Sequence, residues 1–69
     1  MSDNVYKKLE IVGSSETSIE DAVQKAISKA GETIKHIEWF EIGEVRGHVE
    51  DAKVRHYQVV VKIGFRIED

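Results

Sequence analysis

The side chains of this chain that could do chemistry are three histidines (His36, His48 and His56), a few hydroxyls and one tryptophan. A hydrolase of the serine type needs a serine, a histidine and a carboxylate in contact, and its strand-turn-helix form carries a Gly-x-Ser-x-Gly element. That element is missing. The serines all fall at or before Ser28, and no pattern places a histidine and a carboxylate beside one of them. Cysteine is absent, which removes disulfides, zinc-thiolate centres and cysteine nucleophiles together. His48 and His56 could face one another across a hairpin and share a metal ion, although that pattern is nonspecific; the simpler reading of His36 and His48 is that they are exposed strand residues. Gly13-Ser14-Ser15 precedes a helix start, where an anion can sit, but the Gly-Lys-Ser/Thr of a phosphate loop is not there. A turn with a helix cap accounts for it.

Binding chemistry is better represented. Trp39 offers a flat π surface, and Gln58 offers a donor and an acceptor on one carboxamide. On the same sheet face they would suit a planar heteroaromatic ring with a hydrogen-bonding edge. Arg46 and Arg66 could add a phosphate or carboxylate contact, although a salt bridge explains either arginine equally well. Lys62-Ile63-Gly64-Phe65 has a weak likeness to a strand of RNA-recognition domains. The exposed aromatic pair of such strands is lacking, because Phe65 falls on the core face.

The elements that must position these residues follow from periodicity. Val5 to Val12 alternates as a strand, with Val5, Lys7, Leu9 and Ile11 on one face, and ends at Gly13-Ser14-Ser15. Ile19, Ala22, Val23, Ala26, Ile27, Ala30, Thr33 and Ile34 recur at helical spacing. Thr17, with Glu20 three residues on, reads as a capping box for that helix, and Gly31 as a weak point or close contact near its end. His36 to Val49 returns towards a period of two. Trp39 and the core-facing Phe40 must point opposite ways, and Gly43 is the natural place for a bulge. Glu50-Asp51-Ala52-Lys53 connects to a long strand, Val54 to Ile67, whose residues Tyr57, Val59, Val61, Ile63, Phe65 and Ile67 share the face that should meet the helix. The expected fold is α+β: a β-α-β-β order giving a three-stranded, mostly antiparallel sheet with one helix packed on one face. One helix cannot cover both faces, so the face carrying Trp39 and Val60 stays open.

Size and charge bound the rest. The chain has 69 residues, room for a single domain spanning 1–69. A core this small supplies about 3–5 kcal/mol and usually needs a staple. With no cysteine, the staple left is oligomerisation. Charged residues make up 33% of the chain and the net charge is -3, with the signs interspersed. A weakly acidic surface excludes the basic footprint expected for nucleic acid and gives an anionic membrane no purchase. No apolar run reaches the roughly 18 residues of a membrane span. The expectation is a soluble, cytoplasmic protein.

Read together, Val5-Tyr6-Lys7-Lys8-Leu9-Glu10-Ile11-Val12-Gly13, Trp39-Phe40-Glu41, Arg46-Gly47-His48, Tyr57-Gln58-Val59 and Gly64-Phe65-Arg66-Ile67-Glu68-Asp69 resemble the dodecin family, of the bacterial type. The order and spacing of the pieces match over nearly the whole chain. The resemblance implies a hollow homo-dodecamer of cubic symmetry that binds flavin. The flavin is chiefly FMN, with riboflavin and FAD as alternatives, and coenzyme A is a further ligand of some bacterial members. It implies that Trp39 stacks on the isoalloxazine ring, two flavins lying between symmetry-related tryptophans, and that Gln58 bonds the ring's pyrimidine edge. Archaeal members carry an acidic residue at the place of Arg46, so the arginine sides with the bacterial group. The role implied is flavin storage and photoprotective quenching rather than catalysis. The alternative is a structural homo-oligomer in which Trp39 packs protein against protein.

Overall fold

Alternating side chains build three strands, and one amphipathic segment builds the helix between the first two. The computed structural model describes residues 3–68; Met1, Ser2 and Asp69, at the ends of the expected 1–69 domain, lie outside them. The elements are β1 (Val5–Ser15), α1 (Ile19–Ala30), β2 (Ile37–Glu50) and β3 (Lys53–Ile67). The sheet order is β1-β3-β2, and both pairings are antiparallel. The last strand therefore lies in the middle, and β1 and β2 are edges. The α+β expectation, β-α-β-β with one helix on one face, holds.

Register sorts the side chains. Directly opposed residues of an antiparallel pair point to the same face. Leu9, Ile11 and Gly13 stand opposite Ile63, Val61 and Val59, and Phe40, Ile42 and Val45 stand opposite the same three from the other side. Ala22 and Ala26 of α1 pack on this face, and the buried core is these two alanines with Val59, Val61 and Ile63. Small residues bring the helix close to the sheet. A Cβ on Gly13 would strike the Ala22 carbonyl, so this glycine sets the helix-to-strand spacing.

Several details differ from the sequence expectation. The N-cap is Ser18, not Thr17: the Ser18 hydroxyl accepts the Asp21 backbone N–H at 3.0 Å. The neighbouring Ser15 explains the shift. Its buried hydroxyl accepts the backbone N–H groups of Thr17 and Ser18 and donates to the Asp21 carboxylate at 2.6 Å. Those bonds fix the chain one residue later than the capping-box pattern placed it. The Ser15 bond, helped by Lys25, holds the Asp21 carboxyl below its ordinary value. The helix also stops at Ala30 with Gly31 as C-cap, so Thr33 and Ile34 follow in a turn rather than on the helix. β1 runs three residues beyond Val12 because Gly13, Ser14 and Ser15 still pair with β3.

The bulge expected at Gly43 is present as a register shift between Ile42 and Val45. Asp51 and Ala52 close the hairpin with positive φ of 54° and 61°, as a two-residue turn of the I′ kind requires.

The helix covers β1 and β3 but not β2. Phe40 is consequently not a core residue: it faces the helix side yet remains 50% exposed, beside Ile42 and Val45. The chain is also elongated, 56 × 20 × 13 Å, with a radius of gyration of 14.5 Å against about 11 Å for a compact chain of this length. It exposes 5223 Å², where a compact monomer of 7.8 kDa exposes about 4400 Å². The excess of about 800 Å² equals one partner's share of a standard interface. Among the described residues no helix is long and apolar enough to cross a membrane.

Candidate functional site

The face that α1 leaves bare carries Tyr6, Lys8 and Glu10 from β1, Trp39, Glu41, Arg46 and His48 from β2, and their partners on β3. Trp39 stands opposite Gly64. Gly64 is buried, and a Cβ there would collide with three atoms of the indole ring, so the ring lies across the glycine backbone. The ring of Tyr6 meets the indole edge-on, with centroids 5.3 Å apart and planes at 69°. The indole is thereby seated from below and flanked on one side, and it remains partly exposed.

Its polar edge is fixed as well. The Trp39 Nε1–H donates to Glu41 Oε2 at 3.0 Å. The other oxygen of that carboxylate accepts from Lys8 Nζ at 3.1 Å. These bonds favour the ionised acid and hold the Glu41 carboxyl below its ordinary value of 4.5, the indole bond first and the ammonium second. A ring anchored by its own N–H cannot swing without giving up that bond. Such a seat suits stacking, because it removes the rotational freedom that a stacked ligand would otherwise have to freeze.

Gln58 and Arg46 form a second cluster. They are opposed in register, and Arg46 Nε donates to Gln58 Oε1 at 3.0 Å while its Nη1 donates to Glu44 Oε1 at 3.4 Å. The carboxamide is thus oriented, with its N–H groups left to meet a carbonyl. This cluster shares the bare face with Trp39, but one chain does not bring the two together. Gln58 lies six positions from Gly64 along β3, about 20 Å at about 3.3 Å per residue. That span exceeds the length of a tricyclic ring. Arg66 points elsewhere: its Nη2 lies 3.2 Å from His36 Nδ1, and His36 Nε2 lies 3.1 Å from Glu68. His36 sits at a φ of 65° and pins the end of β3 to the start of β2 through the Arg66 N–H to His36 carbonyl bond. His48 and His56 stand opposite one another, their rings parallel.

Sequence reasoning found Trp39, Gln58 and Arg46 but gave no part to Glu41, Gly64, Lys8 or Tyr6. Glu41 had a usable signal, since a residue two positions from Trp39 on a strand shares its face. Gly64 had only the weaker one of a glycine inside a strand, which marks a close approach.

Comparison with known proteins agrees with this architecture. The family model for dodecin matches residues 5–68. A curated dodecin from Thermus thermophilus is 49% identical over 65 residues, 94% of each chain. The crystal structure of a T. thermophilus protein superposes with a TM-score of 0.92 at 48% identity, covering 97% of this chain and 98% of that one. The dodecin of Streptomyces coelicolor superposes with a TM-score of 0.94 at 42% identity, over 100% of this chain and 99% of that one. With a family match across almost all of its length and the same strand order and helix placement in its relatives, this chain belongs to the dodecin family.

Proposed function

We propose that this protein binds and stores a flavin, chiefly FMN, within a homo-dodecamer, and that it is not an enzyme. The isoalloxazine ring stacks on Trp39. Gln58 of a neighbouring copy bonds the pyrimidine edge, and Arg46 lies beside that contact. The observation that carries this reading is the seating of the indole. Trp39 lies on Gly64, is tethered by Glu41 and faces outward from a sheet side that no element of its own chain covers. Assembly supplies the missing cover and brings the second cluster across the 20 Å gap (about six residues of strand). The unburied surface and the open strip of Phe40, Ile42 and Val45 support assembly independently.

Storage suits these residues better than catalysis. An excited flavin held against an indole takes an electron from it and is quenched, the electron returning as the pair relaxes to the ground state, and this needs no acid, base or nucleophile. Glu41, the acidic group nearest the indole, is already committed to Trp39 and Lys8. The test is a titration of FMN with flavin-free, assembled protein, following flavin fluorescence, with Trp39→Ala alongside and coenzyme A as a competitor. Saturable quenching in the wild type and little in the variant is expected. No quenching in either, with assembly intact, would overturn the reading in favour of a structural homo-oligomer. The observation favouring that second reading is that Trp39 is already packed on Gly64 and Tyr6. It requires Trp39→Ala to weaken assembly rather than flavin binding.

A further inference from the structure

His48 and His56 take no part in the flavin reading. They are directly opposed in the β2–β3 register, and opposed residues project from the same face of the sheet. Their rings lie parallel, 16° between planes, with centroids 5.3 Å apart. Among the described residues, His36 is the histidine held by hydrogen-bonding side chains, and the ring nitrogens of the opposed pair have no such partner. His48 is exposed and His56 half-buried, so neither ring is locked into the core.

We propose that this pair is a binding site for a divalent transition-metal ion of the kind that prefers imidazole, copper(II) most tightly and zinc(II) less so. Two imidazoles sharing one ion at about 2.1 Å per nitrogen, with about 90–110° between the bonds, hold their ring centres about 4.5–5.2 Å apart. The observed 5.3 Å differs by a few tenths of an ångström at most from the upper end. The parallel rings need only turn towards a common point, a rotation about the Cβ–Cγ bond that partly solvated rings can make. The strands supply the pre-organisation: register holds both rings at the chelating separation before an ion arrives. The order of preference follows from the affinity series for nitrogen ligands, in which copper(II) exceeds zinc(II).

No third histidine, cysteine or acidic side chain gathers with the pair among the described residues. The protein thus supplies two ligands, and water or a small exogenous ligand completes the sphere. Two cations lie in the neighbourhood: Lys25, paired with Asp21, lines the same cleft as His56, and Arg46 is two positions along β2 on the same face as His48. The Arg46 charge is offset by Glu44, and its Nε is held by Gln58. A cleft of about 480 Å³ lined by Ser14, Glu16, Lys25 and His56 gives solvent and ligands access from the β1 side.

The experiment is a calorimetric titration of the flavin-free, assembled protein with copper(II) chloride and then zinc(II) chloride, with electron paramagnetic resonance of the copper-loaded sample. One copper ion per chain is expected, with a spectrum reporting two equivalent imidazole nitrogens. His48→Gln and His56→Gln should each weaken copper binding about tenfold or more, and His36→Gln should leave it unchanged. One coordinated nitrogen, or affinity indifferent to both substitutions, would overturn the proposal and leave the pair as strand packing. The nitrogen count is read on the wild type, so the test survives a variant that fails to assemble.

Discussion

Replacing Gly64 by alanine tests the seat of the indole directly. The added methyl would occupy space that three carbons of the Trp39 ring now fill, so the ring must leave its place over β3. Overpacking of this kind costs about 1–3 kcal/mol. Alanine recovers about 0.5–1 kcal/mol, because glycine loses more backbone freedom on folding. The difference is a net loss centred near 1 kcal/mol, or a fall in Tm of about 4–8 °C for a domain of this size. Displacing the ring also breaks the Nε1–H bond to Glu41 and the edge contact with Tyr6. Because the chain has one tryptophan, its intrinsic fluorescence reports this site alone. The assay is thermal unfolding at fixed protein concentration, read together with the tryptophan emission maximum and the FMN titration. Gly64→Ala should melt lower, emit at longer wavelength and quench FMN less. An alanine variant with wild-type melting, emission and quenching would refute the argument, since it would mean that the ring does not rest on this glycine.

Ser18→Ala should cost about 1 kcal/mol by removing the N-cap, whereas Thr17→Ala should change stability by less than about 0.5 kcal/mol, as surface substitutions do; urea midpoints of the two variants decide which residue caps α1. Ala52 holds a φ of 61°, a region costing an alanine about 1–2 kcal/mol that glycine escapes, so Ala52→Gly should raise the unfolding midpoint, and a lower midpoint would contradict the turn geometry. The folded value of the Glu41 carboxyl lies below its ordinary 4.5, so its contribution to stability is complete above that value and disappears as pH falls below it through the lowered folded value. The stability gap between wild type and Glu41→Gln should therefore be wider at neutral pH than near pH 3 (about one and a half units below an ordinary glutamate), and a gap independent of pH would show that the carboxylate is not held by Trp39 and Lys8.

Element order, the helical face of Ala22 and Ala26, the opposite pointing of Trp39 and Phe40, and the bulge at Gly43 were all legible in the residues alone. All of these follow from side-chain period and local backbone chemistry, which act over a few residues. The sequence also singled out Trp39, Gln58 and Arg46, because their types on one strand face limit what they can bind. How these pieces stand to one another came from packing and strand pairing. Strand order put β3 in the centre, and helix placement left β2 bare, so Phe40 became half-exposed despite its apolar period. Register separated Gln58 from Trp39 by six positions and brought Gly64 under the indole. A serine at Ser15, accepting two backbone N–H groups and binding Asp21, moved the helix cap to Ser18. Periodicity fixes which way a side chain points, but the neighbour it meets depends on strand pairings between residues distant in sequence, and on the surface that a single chain leaves for another copy to cover.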